Sequence, residues 1–429
     1  MKSSLPKVLM LGWEFPPIIN GGLGVACHDL SSAMSDIADI TMVVPKTSPG
    51  FKMKNMNLVG INNIDVNSFE RDPANYHTPL PFRLHSVAAD IDPYHSENIP
   101  GSASGFGSDN ATSGKEKLEA FNIDSLYGGD VIKKVMQYAD ITATLAASMP
   151  FDVIHAHDWM TMLAGIKIKE RTGKPLVMHI HSLEVDRSGP ENKGWVYELE
   201  KKGMEYADLL MPVSHFTASN ISKYYGIKED KMKVVHNGSS PVKAFKSKRN
   251  FKEKTVLFVG RLTRQKGPEK FLDIASRVLE KDPDVRFVMA GVGDYFRTVL
   301  EKSSYRNIGN RFHMTGFLNQ EKLRYLLSVS DVYCMPSVSE PFGLSAVEAA
   351  HFGIPCVISK QSGVAEVLSG ALKFDFWDDK KAASYILNLL HDEVLSKKVA
   401  EDASTNLKNI TWDISARKII NAYSEKQFI

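Results

Sequence analysis

The sequence predicts an α/β chain of two Rossmann-like doubly wound domains. Three observations carry that expectation. Short apolar runs that read as buried strands alternate with helix-forming segments, and the alternation appears twice along the chain. Each series opens on an apolar strand, Lys7–Gly12 and Thr255–Gly260, followed by a glycine-containing turn and a helix start. The length, 429 residues, suits two or three domains.

The composition narrows the function classes. Hydrophobic residues at 43% and charged residues at 24% are those of a globular protein. A net charge of +2 gives no general attraction to nucleic acid or to a membrane surface. Cys27, Cys334 and Cys356 stand in apolar or helical context, without metal-site spacing, and read as buried free thiols in a reducing compartment. The first apolar run is too short for a signal peptide, and no stretch approaches the ~20 apolar residues of a membrane span. The expected address is the cytoplasm, with neither nucleic acid nor an integral membrane as partner.

In the first half, strand Lys7–Gly12 leads through Trp13–Pro17 to Gly21, Gly22 and Gly24, and a helix follows to Met34. Such a loop lets backbone approach a diphosphate closely, although paired glycines alone also make a plain tight turn. Ile40–Val44 is the next strand, and residues 101–116 form a low-complexity surface loop. Strand Phe151–His157 ends in His155, His157, Asp158 and Trp159, with a helix to Arg171. Alternation puts His155 and His157 on one side, so imidazoles and a carboxylate could ligate zinc there. The apolar run from Leu176 is another strand, ending in His181, at the carboxyl end where open α/β sheets bind ligands. Glu184–Gly189 is polar, and Arg187 there could meet a phosphate, an acceptor or plain solvent. Ser214 reads as a helix cap, Lys233–Gly238 as a short strand and turn, and Ser239–Asn250 as an interdomain linker.

In the second half, Arg261, Arg264 and Lys266 follow the first strand, and Pro268 opens a helix. Cations beside a helix start suit a diphosphate, though basic loops in isolation are usually only solvated. Gly291 and Gly316–Phe317 close two later strands. After the apolar run Val332–Pro336 comes Glu340, then Pro341, Phe342, Gly343 and Leu344, and Glu348 on a helix. Two Glu at this spacing are by themselves ordinary surface residues. Here they flank a helix start whose free N–H groups favour hydroxyls or phosphate oxygens, which makes a site for a polyhydroxylated, anionic ligand.

Taken together, the glycine loop, His155–Trp159, the strand-end His181, the Arg261/Lys266 pair and the Glu340/Glu348 pair are similar to the motifs of retaining glycosyltransferases of the two-Rossmann-domain (GT-B) kind. The chain looks close to glycogen and starch synthase-like members. The resemblance spans nearly the whole chain. It implies residues 1–240 as an acceptor-side domain, 251–405 as a nucleotide-sugar donor domain, both facing a cleft, and 406–429 as a helix crossing back to the first domain. It implies a hexose, glucose above all, moved from an NDP-sugar to a carbohydrate acceptor such as an α-1,4-glucan, with no metal or other cofactor. Gly22, Arg261, Lys266, Gly316, Phe317, Phe342, Gly343, Leu344 and Glu348 would bind the donor, and Asp158 and His181 the sugar or acceptor. Glu340, His181, Arg261 and Lys266 would serve catalysis. Relatives often carry Lys just before the glycine loop; Ile19 or Asn20 stands there instead. That departure keeps a different small-molecule, lipid or cell-wall acceptor open. An NDP-sugar epimerase, a non-catalytic sugar-binding protein and a metallohydrolase on His155, His157 and Asp158 are the other readings.

Overall fold

The structure is a computed structural model that describes residues 5–19, 21–48, 51, 53, 55–64, 126, 128, 130–240, 242 and 244–429. Segment 101–116 lies outside the described residues. Six strands form the first sheet: β1 (Lys7–Leu11), β2 (Asp39–Val44), β3 (Met56–Gly60), β4 (Val153–His157), β5 (Leu176–Ile180) and β6 (Leu209–Pro212). Six more form the second: β7 (Thr255–Val259), β8 (Arg286–Ala290), β9 (Phe312–Gly316), β10 (Val332–Met335), β11 (Cys356–Ser359) and β12 (Leu372–Phe374). The orders are β3-β2-β1-β4-β5-β6 and β12-β11-β10-β7-β8-β9, one topology used twice, with parallel neighbours. The order reverses between β1 and β4 and between β7 and β10, where doubly wound sheets open a ligand crevice at the strands' carboxyl ends.

The strands form because their sequences suit burial on both faces. Every residue of β4, β5, β10 and β11 is buried, as near-continuous apolar runs in parallel sheets must be. Helices cover both sides. One core of the first domain gathers Leu9, Tyr138, Ile154, Trp159 and Met178; the opposite face packs Val8, Met10, Cys27, Leu30 and Val177. The second domain is likewise double, around Phe258, Phe271 and Phe287 on one face and Tyr333, Ala346 and Ile358 on the other. All three cysteines are buried thiols.

The helix Trp412–Glu425 joins the first domain's core through Trp412, Ala416, Ile419, Ala422 and Tyr423. Ahead of it the chain passes close to its own earlier crossing: Ser239 N donates to Ile410 O at 2.9 Å. Gly238 is required there, because a Cβ would lie 2.3 Å from Trp412 N. One expected element is absent. Lys233–Gly238 is no regular strand; it leans on β6 by two backbone bonds, Lys233 N to Leu210 O and Val235 N to Pro212 O, with one isolated bridge at Met232. It then turns into the crossing before a ladder is established. Among the described residues no helix is long and apolar enough to cross a membrane.

Candidate active site

The loop after β10 is built by close backbone packing. Glu340 N donates to Gln361 O, and the amides of Gly363 and Val364 donate back to Glu340 O and Phe342 O, at 2.7–2.9 Å. Gly343 caps the helix Leu344–His351 with φ +113°, a left-handed conformation that suits glycine. The loop therefore holds Glu340 with 5% exposure while its carboxylate stays within reach of Lys266. Lys266 Nζ donates to Glu340 Oε2 at 2.5 Å, and Ser337 Oγ donates to the same oxygen at 3.3 Å. A second glycine makes this meeting possible. Gly267 has φ +66°, and a Cβ on it would sit 2.3 Å from Pro336 O. Pro268 then begins the helix Pro268–Leu279.

Arg261 and Arg264 lie exposed beyond β7. Arg264 reaches the first domain: a Cβ on Gly189 would be 2.9 Å from its Nη1. Glu348 lies half-buried on the Leu344–His351 helix; burial pushes its carboxyl upward, and Arg324 partly offsets this. Gly316 ends β9 at φ +71°, and Phe317 is 79% exposed. Both belong to the sheet edge two strands from β7, apart from the Lys266–Glu340 pair.

On the first domain's side, Gly22 starts the helix Gly22–Met34, and Gly21 N donates to buried Glu14 Oε2 at 3.1 Å. A Cβ on Gly22 would lie 3.8 Å from Leu344 Cδ1. Two helix N-termini, one from each domain, thus meet across the cleft, each presenting the positive end of a helix dipole. Ser339 Oγ, beside Glu340, donates to buried Asp186 Oδ1 at 2.6 Å and ties this junction to the chain after β5.

Four histidines, His155 and His157 of β4, His179 of β5 and His181 just after it, pack ring against ring. The register pairs His157 with His179. His157 Nδ1 and His181 Nε2 share a hydrogen bond of 2.9 Å, His155 Nε2 and His179 Nδ1 one of 3.1 Å, and His155 Nδ1 meets the Tyr423 hydroxyl of the C-terminal helix. Burial holds His155 and His181 down at a pKa of about 3, so both rings are neutral. Among the described residues, His157 Nε2, His179 Nε2 and His181 Nδ1 are buried without a hydrogen-bond partner. Asp158 has φ +58° and spends its Oδ1 on two backbone amides, His181 N at 2.6 Å and Ser182 N at 3.2 Å. Burial pushes its carboxyl up to about 6.

That geometry bears on the metallohydrolase reading. Among the described residues the groups close enough to share an ion are His155–His157–His179, Cys27–His157–His181 and, away from the histidine stack, His215–His236–Glu366, and Asp158 is in none of them. Arg187 also differs from expectation. It is half-buried among Glu184 at 3.0 Å, Glu200 at 2.7 Å and Ser182 at 2.6 Å, so its guanidinium braces the loop after β5.

Residues 7–233 match the family described as the starch synthase catalytic domain, and residues 240–406 match glycosyl transferases group 1. The chain belongs to the starch synthase catalytic domain family, within the GT-B glycosyltransferases. It is 26% identical to an uncharacterised glycosyltransferase of Methanocaldococcus jannaschii, over 97% of each chain. It is 24% identical to the glycogen synthase of Mycobacterium tuberculosis, over 97% of this chain and 94% of that one. Among solved structures, sucrose-phosphate synthase from Thermosynechococcus elongatus superimposes with a TM-score of 0.70 at 17% identity, over 98% of each chain, and shares the fold.

Within this glycosyltransferase, tertiary structure brings together Gly22, Lys266, Glu340, Phe342, Gly343 and Leu344, while His181 and Asp158 stand on the adjoining wall and Gly316 and Phe317 stand apart. The sequence also hides several groups that hold the wall in place. Asp186, Ser339 and Ser337 are unremarkable polar residues until the cleft joins them, and Glu14 shows only as a carboxylate seven residues before Gly21. No spacing rule marks them: Ser339 meets Asp186 across 153 residues, while Ser337 and Glu14 act three and seven residues away within irregular loops.

Proposed function

We propose that the chain is a retaining hexosyltransferase that takes a sugar, glucose foremost, from an NDP-sugar and delivers it to an acceptor other than a long glucan. The observation that carries the donor half is the Lys266–Glu340 pair at the meeting of two helix N-termini. One cation, one carboxylate and outward N–H groups in a small space suit a diphosphate beside a polyol.

In this reading Arg261 and Lys266 stabilise the charge that grows on the diphosphate as the glycosidic bond breaks. Removing one such preorganised donor costs about 10²–10³ in kcat in comparable sites. Lys266 then divides its protons between Glu340 and the phosphate. Glu340 and the backbone of Phe342, Gly343 and Leu344 hold the sugar hydroxyls, and Glu348 meets the ribose. Gly316 and Phe317 border the base. Neutral His181 orients the sugar with its remaining ring nitrogen, and Asp158 fixes the segment that carries it. The leaving phosphate accepts the acceptor's proton as the acceptor hydroxyl attacks from the same face, so configuration is retained. Residues 1–240 serve the acceptor and 251–405 the donor.

Two features support an acceptor outside the glucans. Ile19 and Asn20 replace the basic residue that often precedes the glycine loop of glucan synthases. A relative by fold, sucrose-phosphate synthase, is named for a small product. The second reading, an α-1,4-glucan acceptor, is supported by the full-length likeness to a glycogen synthase. The deciding experiment is nucleotide release by the purified protein with ADP-glucose and UDP-glucose, each with and without maltooligosaccharide or glycogen. Donor turnover without glucan dependence is the expected result. Release that requires glucan, with chain extension, moves the assignment to the second reading; failure to bind either donor overturns the glucosyl-donor reading.

A further inference from the structure

We infer that Glu366 is a positioning residue that sets the closure of the cleft. It stands on the short helix Val364–Val367 of the second domain, directly after the two amides that hold Glu340 O and Phe342 O. Its carboxylate belongs to the other domain's bonding. Oε2 accepts His215 N at 2.9 Å and lies 2.8 Å from His236 Nε2; Oε1 accepts Phe216 N at 2.7 Å. Those amides open the helix His215–Asn220 of the first domain.

The contact is reciprocated. Ser214 Oγ and Thr217 Oγ1, from the cap and first turn of that helix, donate to Pro341 O at 2.6 and 3.3 Å. Gly363 completes the fit: a Cβ there would be 2.2 Å from Pro341 O and 2.5 Å from Ser214 Cβ. One turn of the first domain is therefore gripped from two sides by the segment that carries Glu340. A carboxylate on two helix-start amides gains from charged hydrogen bonds and from the helix dipole together. The Glu366 and His236 side chains are 24% and 20% exposed, so water screens the pair only in part.

The consequence is mechanical. The chain crosses between the domains at Ser239 and Ile410. Beyond that crossing, the Glu366 clasp fixes how near Leu344 comes to Gly22 and Ser339 to Asp186. Without it the closed form is a smaller share of the population, and donor affinity falls by that share. Once closed, the reacting groups stand where they stood, so chemistry is spared. The ligand half of this inference rests on the nucleotide-sugar reading; the shape half does not.

The test compares wild type, Glu366→Ala and Glu366→Gln as full chains. Small-angle scattering without ligand should give a larger radius of gyration for Glu366→Ala, contracting toward the wild-type value with excess UDP or ADP. The donor KM should rise about tenfold with kcat within about twofold. Glu366→Gln keeps one acceptor oxygen and should fall between, and it carries the test if the alanine variant does not fold. An unchanged ligand-free radius overturns the inference, as does a fall in kcat at unchanged KM, which marks a merely structural loss. A wild type that turns over no nucleotide sugar defeats the donor reading alone and leaves the ligand-free scattering to decide on Glu366.

Discussion

Lys266 Nζ and Glu340 Oε2, 74 residues apart in the chain, meet at 2.5 Å in the cleft. Each side chain thus prepares the other. The ammonium compensates a buried carboxylate, and, in the proposed donor site, the carboxylate holds the ammonium for a diphosphate. Removing one partner of such a pair leaves the other uncompensated. Lys266→Ala should lower kcat/KM by about 10³, and Arg261→Ala/Lys266→Ala further. Glu340→Ala should keep donor binding within about threefold and lose turnover. The double variant Lys266→Ala/Glu340→Ala should lose less than the sum of the singles, because one contact is counted twice. Near-normal nucleotide release by Glu340→Ala, or retained activity without both cations, would remove these roles.

His181 is held neutral by burial, with a pKa of about 3. Its protonation should therefore leave no limb in the pH–rate profile between pH 5 and 8. His181→Ala should reduce kcat by about 10², with the shape of that profile unchanged. A limb near neutrality that vanishes in the variant would show that His181 titrates in the working enzyme.

Asp158 holds two amides from a left-handed backbone position. Asp158→Ala strands both amides and should cost about 2–4 kcal/mol in chemical denaturation. Asp158→Asn keeps an acceptor oxygen and should fold. The pH dependence separates them further. Burial raises the folded carboxyl to about 6 from 3.8, so the ionised group costs stability above pH 6 and the cost disappears as pH falls through that window. Wild type should therefore gain stability relative to Asp158→Asn between pH 7 and pH 4.

His155 gives the opposite sign. Its folded pKa, about 3, lies below the ordinary 6.5 because burial disfavours the cation. Stability is intact above pH 6.5 and is lost as pH falls, since the unfolded chain takes up a proton the folded one refuses. At pH 5 this reaches about 2 kcal/mol for one such group. The advantage of wild type over His155→Gln should shrink from pH 7 to pH 5, read as denaturant midpoints. A constant gap would show that the ring takes up its proton in the folded chain at the same pH as in the unfolded one.

Legibility followed the range of the physics. Strand and helix are periodic local properties, so β4, β5, β7 and β10 stand where their apolar runs lie. Lys233–Gly238 has the composition of a strand but leaves β6 after two backbone bonds, and a pattern count cannot see that missing partner. Gly267 and Gly343 were visible as glycines near motifs. That their positive φ lets Lys266 reach Glu340 depends on packing against Pro336 and Val364.

The sequence by itself determined the two doubly wound sheets, the buried thiols and the helix starts that flank Glu340 and Lys266, because burial and backbone preference act over a few residues. Only the tertiary structure decided which charges pair. It set Lys266 on Glu340, turned Asp158 and Arg187 inward to brace loops, and closed Glu366 onto the other domain's amides. A charged hydrogen bond is made or lost within about an ångström. That distance is fixed where segments far apart in the chain are packed together.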